Sequence, residues 1–403
     1  MKAFVTDGDQ RPALAIARSL GQRGVEVLVG EERPVSLASS SRYAARHVTY
    51  PSPYRHPEAF ERFLDELVAR AELDVVIPVT DVTTHIVARR QDGLGRHTAV
   101  AAPPFEAFDF VSDKGRLLQH AVRRGVPIPR TIYVGGGADV KRILSRVEYP
   151  AVVKPCRSRV STDLGWRSTS VHYAACETDL LDLYERIDYL SSHPSLIQER
   201  VRGLGTGVFV LCDRGRLLTA FAHRRLREKP PSGGVSVLCE SIALDPRLRE
   251  EAIRLLEPIG WHGVAMVEYK ESSRIGRPVL IEVNGRFWGS LQLAVDAGVD
   301  FPYLCYQLAQ REALDLPSDY AVGVKSRWLL GDLDHLLIRL FGRARDLPPP
   351  ASSRLRAFVE FLNRPDRGSR QDVFRRDDPR PMVHELWQYV RTQFESRAIT
   401  VSK

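Results

Sequence analysis

Cysteine is scarce and scattered in this chain, which has five cysteines in 403 residues. Their number is odd and no two form a Cys-x-x-Cys pair, so the sequence disfavours both a disulfide framework and a zinc site. We interpret them as buried or inert thiols.

Long apolar runs are missing as well. No stretch approaches the roughly 18 apolar residues that a membrane-spanning helix needs, so no membrane span is expected. The first residues turn acidic at Asp7 and Asp9 and lack the apolar core of a signal peptide, which favours a cytoplasmic protein. A hydrophobic content of 43% and a charged content of 27% are typical of a folded chain, and its length favours two or three domains.

The first predicted strand lacks the glycine-rich turn of a dinucleotide-binding fold. In that fold Gly-x-Gly-x-x-Gly lets the backbone approach a pyrophosphate at a helix start. Here the apolar residues 3–5 are followed by Asp7, Gly8 and Asp9, whose carboxylates would repel a phosphate, so NAD and FAD are not expected. Asp7, and Asp81 after a later strand, either set turn geometry or face a cationic substrate.

The positive charge is concentrated late in the chain. The net charge is +8, but residues 321–403 hold 16 Lys and Arg against 10 Asp and Glu, so only +2 remains for the first 320 residues. No nucleic-acid-binding module or basic patch interleaved with aromatics is evident, and nucleic acid is not expected as a partner.

Hydrophobic periodicity divides the chain into three parts. Strand and helix patterns alternate over residues 1–108, which predicts an α/β domain with a parallel sheet. Residues 109–330 contain strands joined by turns, the pattern of an α+β domain. Residues 331–403 form a basic helical extension interrupted by a Pro/Ser-rich linker at 347–353.

One helical stripe in the extension is apolar. Leu386, Trp387, Val390 and Phe394 fall at helical spacing. We expect them to pack on the catalytic body or on a second subunit, as in a homodimer.

Three oxygen donors coincide on two neighbouring predicted strands. Glu282 and Asn284 are two residues apart, so a strand directs both to one face, and Glu268 joins them if the strands pair as a hairpin. Donors without His or Cys suit Mg²⁺, with Mn²⁺ as an alternative. Arg286 keeps the same face and would hold a carboxylate or an acyl phosphate. A Glu–Arg ladder on an exposed sheet face is the other interpretation.

A basic segment, residues 223–236, precedes Glu268. It begins with His223 and Arg225 and ends in a Pro/Gly-rich turn. This composition predicts either a mobile loop over an anionic site or a solvated basic hairpin.

Five motifs in chain order resemble the ATP-grasp superfamily, specifically its carboxylate–amine ligase branch, related to biotin carboxylase, carbamoyl phosphate synthetase and D-alanine–D-alanine ligase. The resemblance covers roughly residues 1–330. The motifs are Asp113-Lys114 at a helix start, Val153-Lys154-Pro155 on a strand, LIQERVRG at 196–203, MVE at 266–268 and LIEVNGR at 280–286.

The resemblance implies a fold of α/β plus α+β class. A Rossmann-like domain (residues 1–108) would precede an ATP-grasp domain (109–330), followed by the helical extension (331–403). Within the ATP-grasp domain a lid lobe would span about residues 150–203, and a catalytic lobe about residues 204–330.

It also implies that ATP and Mg²⁺ bind at particular residues. Lys114 and Lys154 would contact ATP phosphates, whereas Gln198, Glu199 and Val201 would line the adenine pocket. Solvated surface lysines and a simple strand exit are the alternatives.

Further implied residues concern the metal and the reacting groups. Glu268, Glu282 and Asn284 would hold Mg²⁺ on the terminal phosphates, and Arg286 would steady an acyl phosphate. The loop after His223 would face phosphate and substrate, with His223 toward ATP and Arg225 toward the reacting groups. Arg327 corresponds to a further anion-holding arginine of biotin carboxylases. The sequence departs from the family at residues 156–163, where many members have a Gly-rich loop.

The implied reaction joins a small-molecule carboxylate to an amine through an acyl phosphate, releasing ADP and phosphate. Two alternatives remain open: a bicarbonate-activating carboxylase of the biotin-carboxylase type, and a catalytically degenerate ATP-binding regulator.

Overall fold

A computed structural model describes residues 1–163, 165–342, 354–362 and 369–401. The predicted linker at 347–353 lies outside the described residues. The described part of the chain is built on three sheets of four or more strands and one separate two-stranded hairpin.

The first sheet is parallel, as the alternating pattern predicts. Its strands are β1 (Lys2–Val5), β2 (Glu26–Glu31), β3 (Arg46–Thr49), β4 (Val75–Ile77) and β5 (Ala99–Val100), in the order β3-β2-β1-β4-β5. The accompanying helices are α1 (Arg11–Gly21), α2 (Pro57–Arg70), α3 (Asp81–Arg89), α4 (Gln91–Leu94) and α5 (Phe105–Ser112).

Asp7 ties the end of β1 to the start of α3. Its carboxylate accepts hydrogen bonds from the Thr6 and Thr83 hydroxyls, each at 2.6 Å, and from the Thr80 backbone N–H at 3.0 Å. Thr80 in turn caps α3. Asp7 is buried and its φ is +57°, a conformation that Asp tolerates better than most residues. Of the two interpretations of Asp7, turn geometry is correct and contact with a substrate is wrong.

The second sheet is antiparallel, in the order β10-β7-β11-β6. The elements of this region are α6 (Lys114–Arg123), β6 (Thr131–Val134), α7 (Gly137–Ile143), a 3₁₀ turn (Leu144–Arg146), β7 (Ala151–Pro155), β8 (Arg159–Thr162), β9 (Gly165–Ser168), β10 (His172–Ala174), α8 (Glu177–Arg186), α9 (Asp188–Ser192) and β11 (Ser195–Glu199). Strand β6 belongs to this sheet although it precedes the range expected for the lid lobe.

The segment that replaces the Gly-rich loop forms the hairpin β8–β9. The backbone N–H of Trp166 donates to the Tyr54 carbonyl at 2.7 Å, which seats the hairpin on the first domain. The Trp166 ring also contacts His85 edge-on, with ring centres 4.8 Å apart.

The third sheet has seven strands, in the order β16-β15-β12-β13-β14-β17-β18. Its strands and the remaining helices are β12 (Gly205–Asp213), β13 (Arg216–Lys229), β14 (Val235–Ser241), α10 (Pro246–Leu256), a 3₁₀ turn (Glu257–Ile259), β15 (Gly263–Ser272), β16 (Arg277–Asn284), α11 (Leu291–Ala297), α12 (Phe301–Gln310), β17 (Lys325–Arg327), α13 (Leu329–Phe341), α14 (Arg354–Leu362), β18 (Arg370–Gln371) and α15 (Arg380–Val401).

The basic segment at 223–236 is mostly strand. β13 continues to Lys229 and pairs with β14 as far as its end, so only residues 230–234 form the turn of a hairpin. The prediction of a mobile loop is therefore wrong for most of the segment, because pairing with β14 satisfies backbone hydrogen bonds.

The C-terminal extension contacts both the third sheet and the first domain. β18 pairs in parallel with β17. Arg18 of α1 donates to the Asp378 carboxylate at 2.8 Å, and both side chains are buried. None of the described helices is both long and apolar enough to cross a membrane.

The apolar stripe of α15 faces outward. Leu386, Trp387 and Val390 are 42%, 58% and 50% exposed. The expectation that they pack on the catalytic body is wrong, whereas packing on a second subunit stays a prediction. The side chain of Phe394 lies outside the described residues.

Candidate active site

A cavity of about 370 Å³ lies between the second and third sheets. Ten of the twelve predicted site residues line it. They are Lys114, Lys154, Gln198, Glu199, Val201, Arg225, Glu268, Glu282, Asn284 and Arg286.

The predicted hairpin is present and aligns the oxygen donors. Glu268 of β15 is paired with Glu282 of β16, and Asn284 follows two residues later on the same strand. Pairing directly across two strands brings the two carboxylates side by side. The Asn284 amide donates to Glu282 Oε1 at 3.1 Å.

Two lysines compensate Glu282. Lys114 Nζ lies 3.4 Å from Glu282 Oε2 and donates to the Ser158 hydroxyl at 2.7 Å. Burial by itself would raise the pKa of Glu282, but Lys114, Lys154 and the Asn284 amide outweigh it and lower the pKa to about 2. Burial lowers the pKa of Lys154 to about 8, against the opposing charge of Glu282.

Glu268 is held by an arginine. Arg225 donates to both of its carboxylate oxygens, at 2.9 and 2.6 Å, and also to Glu228 at 3.0 Å. Burial raises the pKa of the Glu268 carboxyl, and the Arg225 charge opposes that shift. Arg225 therefore keeps two adjacent carboxylates compatible in one cavity.

The donor set fits a hard divalent cation. Glu268, Glu282 and Asn284 supply oxygen atoms only, which is the chemistry of a Mg²⁺ site completed by phosphate and water. The described residues contain no cluster of three His, Cys, Asp or Glu, which agrees with a set of two carboxylates and one amide.

Arg286 connects the site to the first domain. Its Nε donates to Asp81 at the start of α3, at 3.0 Å, and its Nη2 donates to Asn284 Oδ1 at 3.3 Å. Asp81 therefore pairs with an arginine of the site.

The opposite end of the cavity is apolar with polar edges. Gln198 is buried and its amide donates to the Thr131 hydroxyl at 2.9 Å. The Glu199 carboxylate is engaged by two hydrogen bonds from Arg274, each at 2.8 Å. Apolar side chains complete this end: Val152, Val171, Val201, Met266 and Ile281.

His223 is not brought to the cavity. It is buried in the third sheet, with its ring 4.6 Å from that of Phe209 in edge contact, and within the described structure neither ring nitrogen has a hydrogen-bond partner. Burial lowers its pKa well below the ordinary value, so the imidazole is neutral. Its predicted contact with ATP is wrong for this arrangement.

Arg327 is also directed elsewhere. Its Nε donates to Asp332 at 2.6 Å, and its guanidinium stacks on the Phe361 ring of the C-terminal extension, 4.5 Å from the ring centre. Since this charge is buried against its own carboxylate, the prediction that Arg327 holds a substrate anion is wrong.

A second cavity of about 610 Å³ adjoins the first. Arg11, Val235, Arg286 and Gly289 line both. Its outer wall is a polar face of α15. Sequence reasoning did not place this helix at the site, and the only signal in the sequence was the set of polar residues between the apolar residues of the stripe. These wall residues are Glu385, Gln388, Tyr389 and Thr392.

Two facing lobes with a carboxylate-lined cavity between them are the ATP-grasp arrangement. The chain has the ATP-grasp fold, which confirms the resemblance and the predicted fold class. More narrowly, residues 191–329 match the family described as "ATP-grasp in the biosynthetic pathway with Ter operon".

Solved structures of similar fold include ligases and carboxylases. The ADP complex of N5-carboxyaminoimidazole ribonucleotide synthetase is 13% identical, with a TM-score of 0.63 over 85% of this chain and 86% of that one. L-amino acid ligase from Bacillus licheniformis is 18% identical, with a TM-score of 0.61 over 78% and 75%.

The biotin carboxylase domain of 2-oxoglutarate carboxylase from Hydrogenobacter thermophilus, in complex with MgADP and bicarbonate, is 16% identical. Its TM-score is 0.63 over 80% of this chain and 73% of that one. No curated protein sequence matches the chain.

Proposed function

We propose that this protein is an ATP-dependent ligase that activates a substrate carboxylate as an acyl phosphate and joins it to an amine, releasing ADP and phosphate. The observation that carries the proposal is Arg286, which lines both cavities beside Glu282 and Asn284. An anion bound to Arg286 would lie where the first cavity, proposed for the nucleotide, meets the second cavity, proposed for the substrate.

The residues of the first cavity divide the binding of ATP between them. Val152, Met266 and Ile281 offer apolar surface for the adenine, with Gln198 at its edge. Lys114 and Lys154 offer compact positive charge to the phosphates. Glu268, Glu282 and Asn284 would hold Mg²⁺, which supplies further charge neutralisation on the terminal phosphates when bound.

The reaction then depends on position and charge. The substrate carboxylate attacks the γ-phosphorus, the bond to the β-phosphate oxygen breaks, and ADP leaves. Arg286 would orient the carboxylate and offset charge on the acyl phosphate. The amine displaces phosphate, forming the amide and releasing one proton. The lobes around the cavity would exclude water, which otherwise hydrolyses the acyl phosphate.

Bicarbonate activation is the second candidate, because a carboxylase domain with bound bicarbonate shares the fold. The volume of the second cavity, about 610 Å³, favours an acid larger than bicarbonate. A degenerate ATP-binding regulator is disfavoured because both lysines and the three oxygen donors line one cavity.

An ADP-release screen over pairs of carboxylic acids and amines, with mass spectrometry of the products, tests the proposal. We expect ADP and an amide only when an acid and an amine are both present. ADP release driven by bicarbonate alone would favour the carboxylase, and ATP binding without ADP release for any pair would favour the regulator.

A further inference from the structure

The second cavity is lined by charges of both signs. Arg286 and Arg159 lie toward the first cavity, since Arg159 also lines a small cleft together with Lys114 and Glu282. The wall also includes Asp9, from the turn before α1, and Glu385 of α15.

Two other charged residues of the wall are already paired. Lys229 forms an ion pair with Asp334, which also accepts a hydrogen bond from Tyr389 at 2.6 Å. Arg11 forms an ion pair with Asp372 and stacks on a tryptophan ring, 4.1 Å from its centre. Lys229 and Arg11 therefore have little charge left for a ligand. Arg286 is paired as well, with Asp81 of the same wall at 3.0 Å, so a ligand carboxylate would share the Arg286 guanidinium with Asp81.

Glu385 is less well compensated. Its Oε1 accepts one hydrogen bond from the Trp328 indole at 2.7 Å, whereas its Oε2 is buried and has no hydrogen-bond partner among the described residues. Burial raises the pKa of this carboxyl. A bound cation would supply the missing donor and favour the ionised carboxylate.

Asp9 lies on the same side of the cavity. Its Oδ1 accepts from the Leu37 backbone at 3.0 Å and from Gln388 Nε2 of α15 at 3.3 Å. The Arg33 guanidinium lies 3.9 Å from Asp9, beyond hydrogen-bond distance. His384 is also 3.9 Å away, and burial lowers its pKa, which favours the neutral imidazole. Among the described residues, no cationic side chain donates a hydrogen bond to Asp9 or to Glu385.

We propose that the second cavity binds the acid substrate as an amino acid, with its carboxylate toward Arg286 and Arg159 and its ammonium group toward Glu385 and Asp9. The C-terminal helix thereby sets the substrate class. The orientation of the carboxylate rests on the proposed function; the recognition of the ammonium group rests on the charges of the cavity.

Direct binding tests the inference without turnover. Calorimetric titrations with MgADP present would compare each protein amino acid, and ω-amino acids from β-alanine to 6-aminohexanoate, with the monocarboxylate that lacks the amino group. We expect at least one amino acid to bind 10-fold or more tightly than its des-amino analogue. Glu385→Gln, which keeps an acceptor for the Trp328 indole, should remove at least 10-fold of that preference and leave MgADP affinity unchanged.

Glu66→Gln is the matched control, because it removes the same charge from an exposed position on α2. The control should bind both ligands as the unaltered protein does. Equal affinity for the two members of every pair, no amino acid binding at all, or an unchanged preference in Glu385→Gln would each overturn the inference. Amino-acid binding that is lost in Glu385→Gln, in a protein that releases no ADP, would uphold it and overturn the ligase instead.

Discussion

At the scale of single residues, Glu282 is the centre of the site. It contacts Lys114 directly, accepts from Asn284, and lies opposite Glu268. Its pKa of about 2 means that it stays ionised throughout the physiological range. A fixed negative charge is what both a metal ion and the two lysines require.

Replacing this charge should separate chemistry from folding. We expect Glu282→Gln to lower Mg²⁺-dependent ADP release by about 100-fold or more, since one oriented charged ligand is lost from the reacting phosphates. Circular dichroism should show the same secondary structure. Near-normal turnover in this variant, with Glu66→Gln as the control, would rule out the metal assignment.

Lys154 should give the proposed nucleotide site a pH dependence. Its charged form would bind phosphates, and its folded-state pKa is lowered to about 8, so affinity for ATP should hold below pH 8 and decline above it, by up to about 10-fold per pH unit. Titrations from pH 6.5 to 9.5 would measure this. Lys154→Arg keeps its charge throughout and should show a flat profile; parallel profiles for the two proteins would contradict the role of Lys154.

At the scale of elements, the long hairpin β13–β14 carries the positive charge that balances Glu268, a proposed metal ligand. Arg225 projects from β13, next to a register irregularity, and reaches Glu268 across β12. The neighbouring Arg224 is half-exposed and pairs with Glu240 on β14. These two adjacent arginines of one strand therefore lie in different environments, one buried and one half-exposed.

This difference should be measurable as stability. Arg225→Ala leaves Glu268 buried and unpaired, and we expect the free energy of unfolding in urea to fall by about 3–5 kcal/mol. Arg224→Ala removes a partly exposed pair and should cost less than about 1 kcal/mol. Equal losses for the two variants would show that burial does not increase the contribution of the Arg225–Glu268 pair to the free energy of unfolding.

At the scale of the whole molecule, the C-terminal extension is hydrogen-bonded to the first domain. Asp378 accepts from Arg18 of α1 and from the Ser41 hydroxyl at 2.6 Å. These contacts hold the segment that leads into α15, and α15 forms a wall of the second cavity. The extension therefore lines the cavity that we propose for the substrate.

Breaking this link should loosen the extension. Asp378→Ala leaves Arg18 buried without its carboxylate, and we expect a loss of about 3–5 kcal/mol in urea denaturation, with faster proteolysis at the C-terminal end. The adjacent Asp377 is exposed, so Asp377→Ala should change either measurement little. Unchanged proteolysis of Asp378→Ala would show that the extension is held by other contacts.

The local sequence was sufficient to predict most of the functional residues that line the first cavity. Two-residue spacing places Glu282 and Asn284 on one face of a strand, and the hairpin aligns Glu268 with them, because strand geometry depends on neighbours close in the chain. The ordered motifs predicted the ATP-grasp fold. Ten of the twelve residues expected at the site line its cavity.

Tertiary packing decided what each charge faces. The sequence does not indicate that Arg327 stacks on Phe361 or that His223 is buried beside Phe209. Nor does it indicate that the Asp7 carboxylate accepts hydrogen bonds from threonines near α3. Each outcome depends on contacts between segments far apart in the chain, whose energies are set by burial and not by local spacing. For the same reason the sequence determined most of the first cavity of this protein, whereas only the folded structure brought Glu385 of the C-terminal helix to the second cavity.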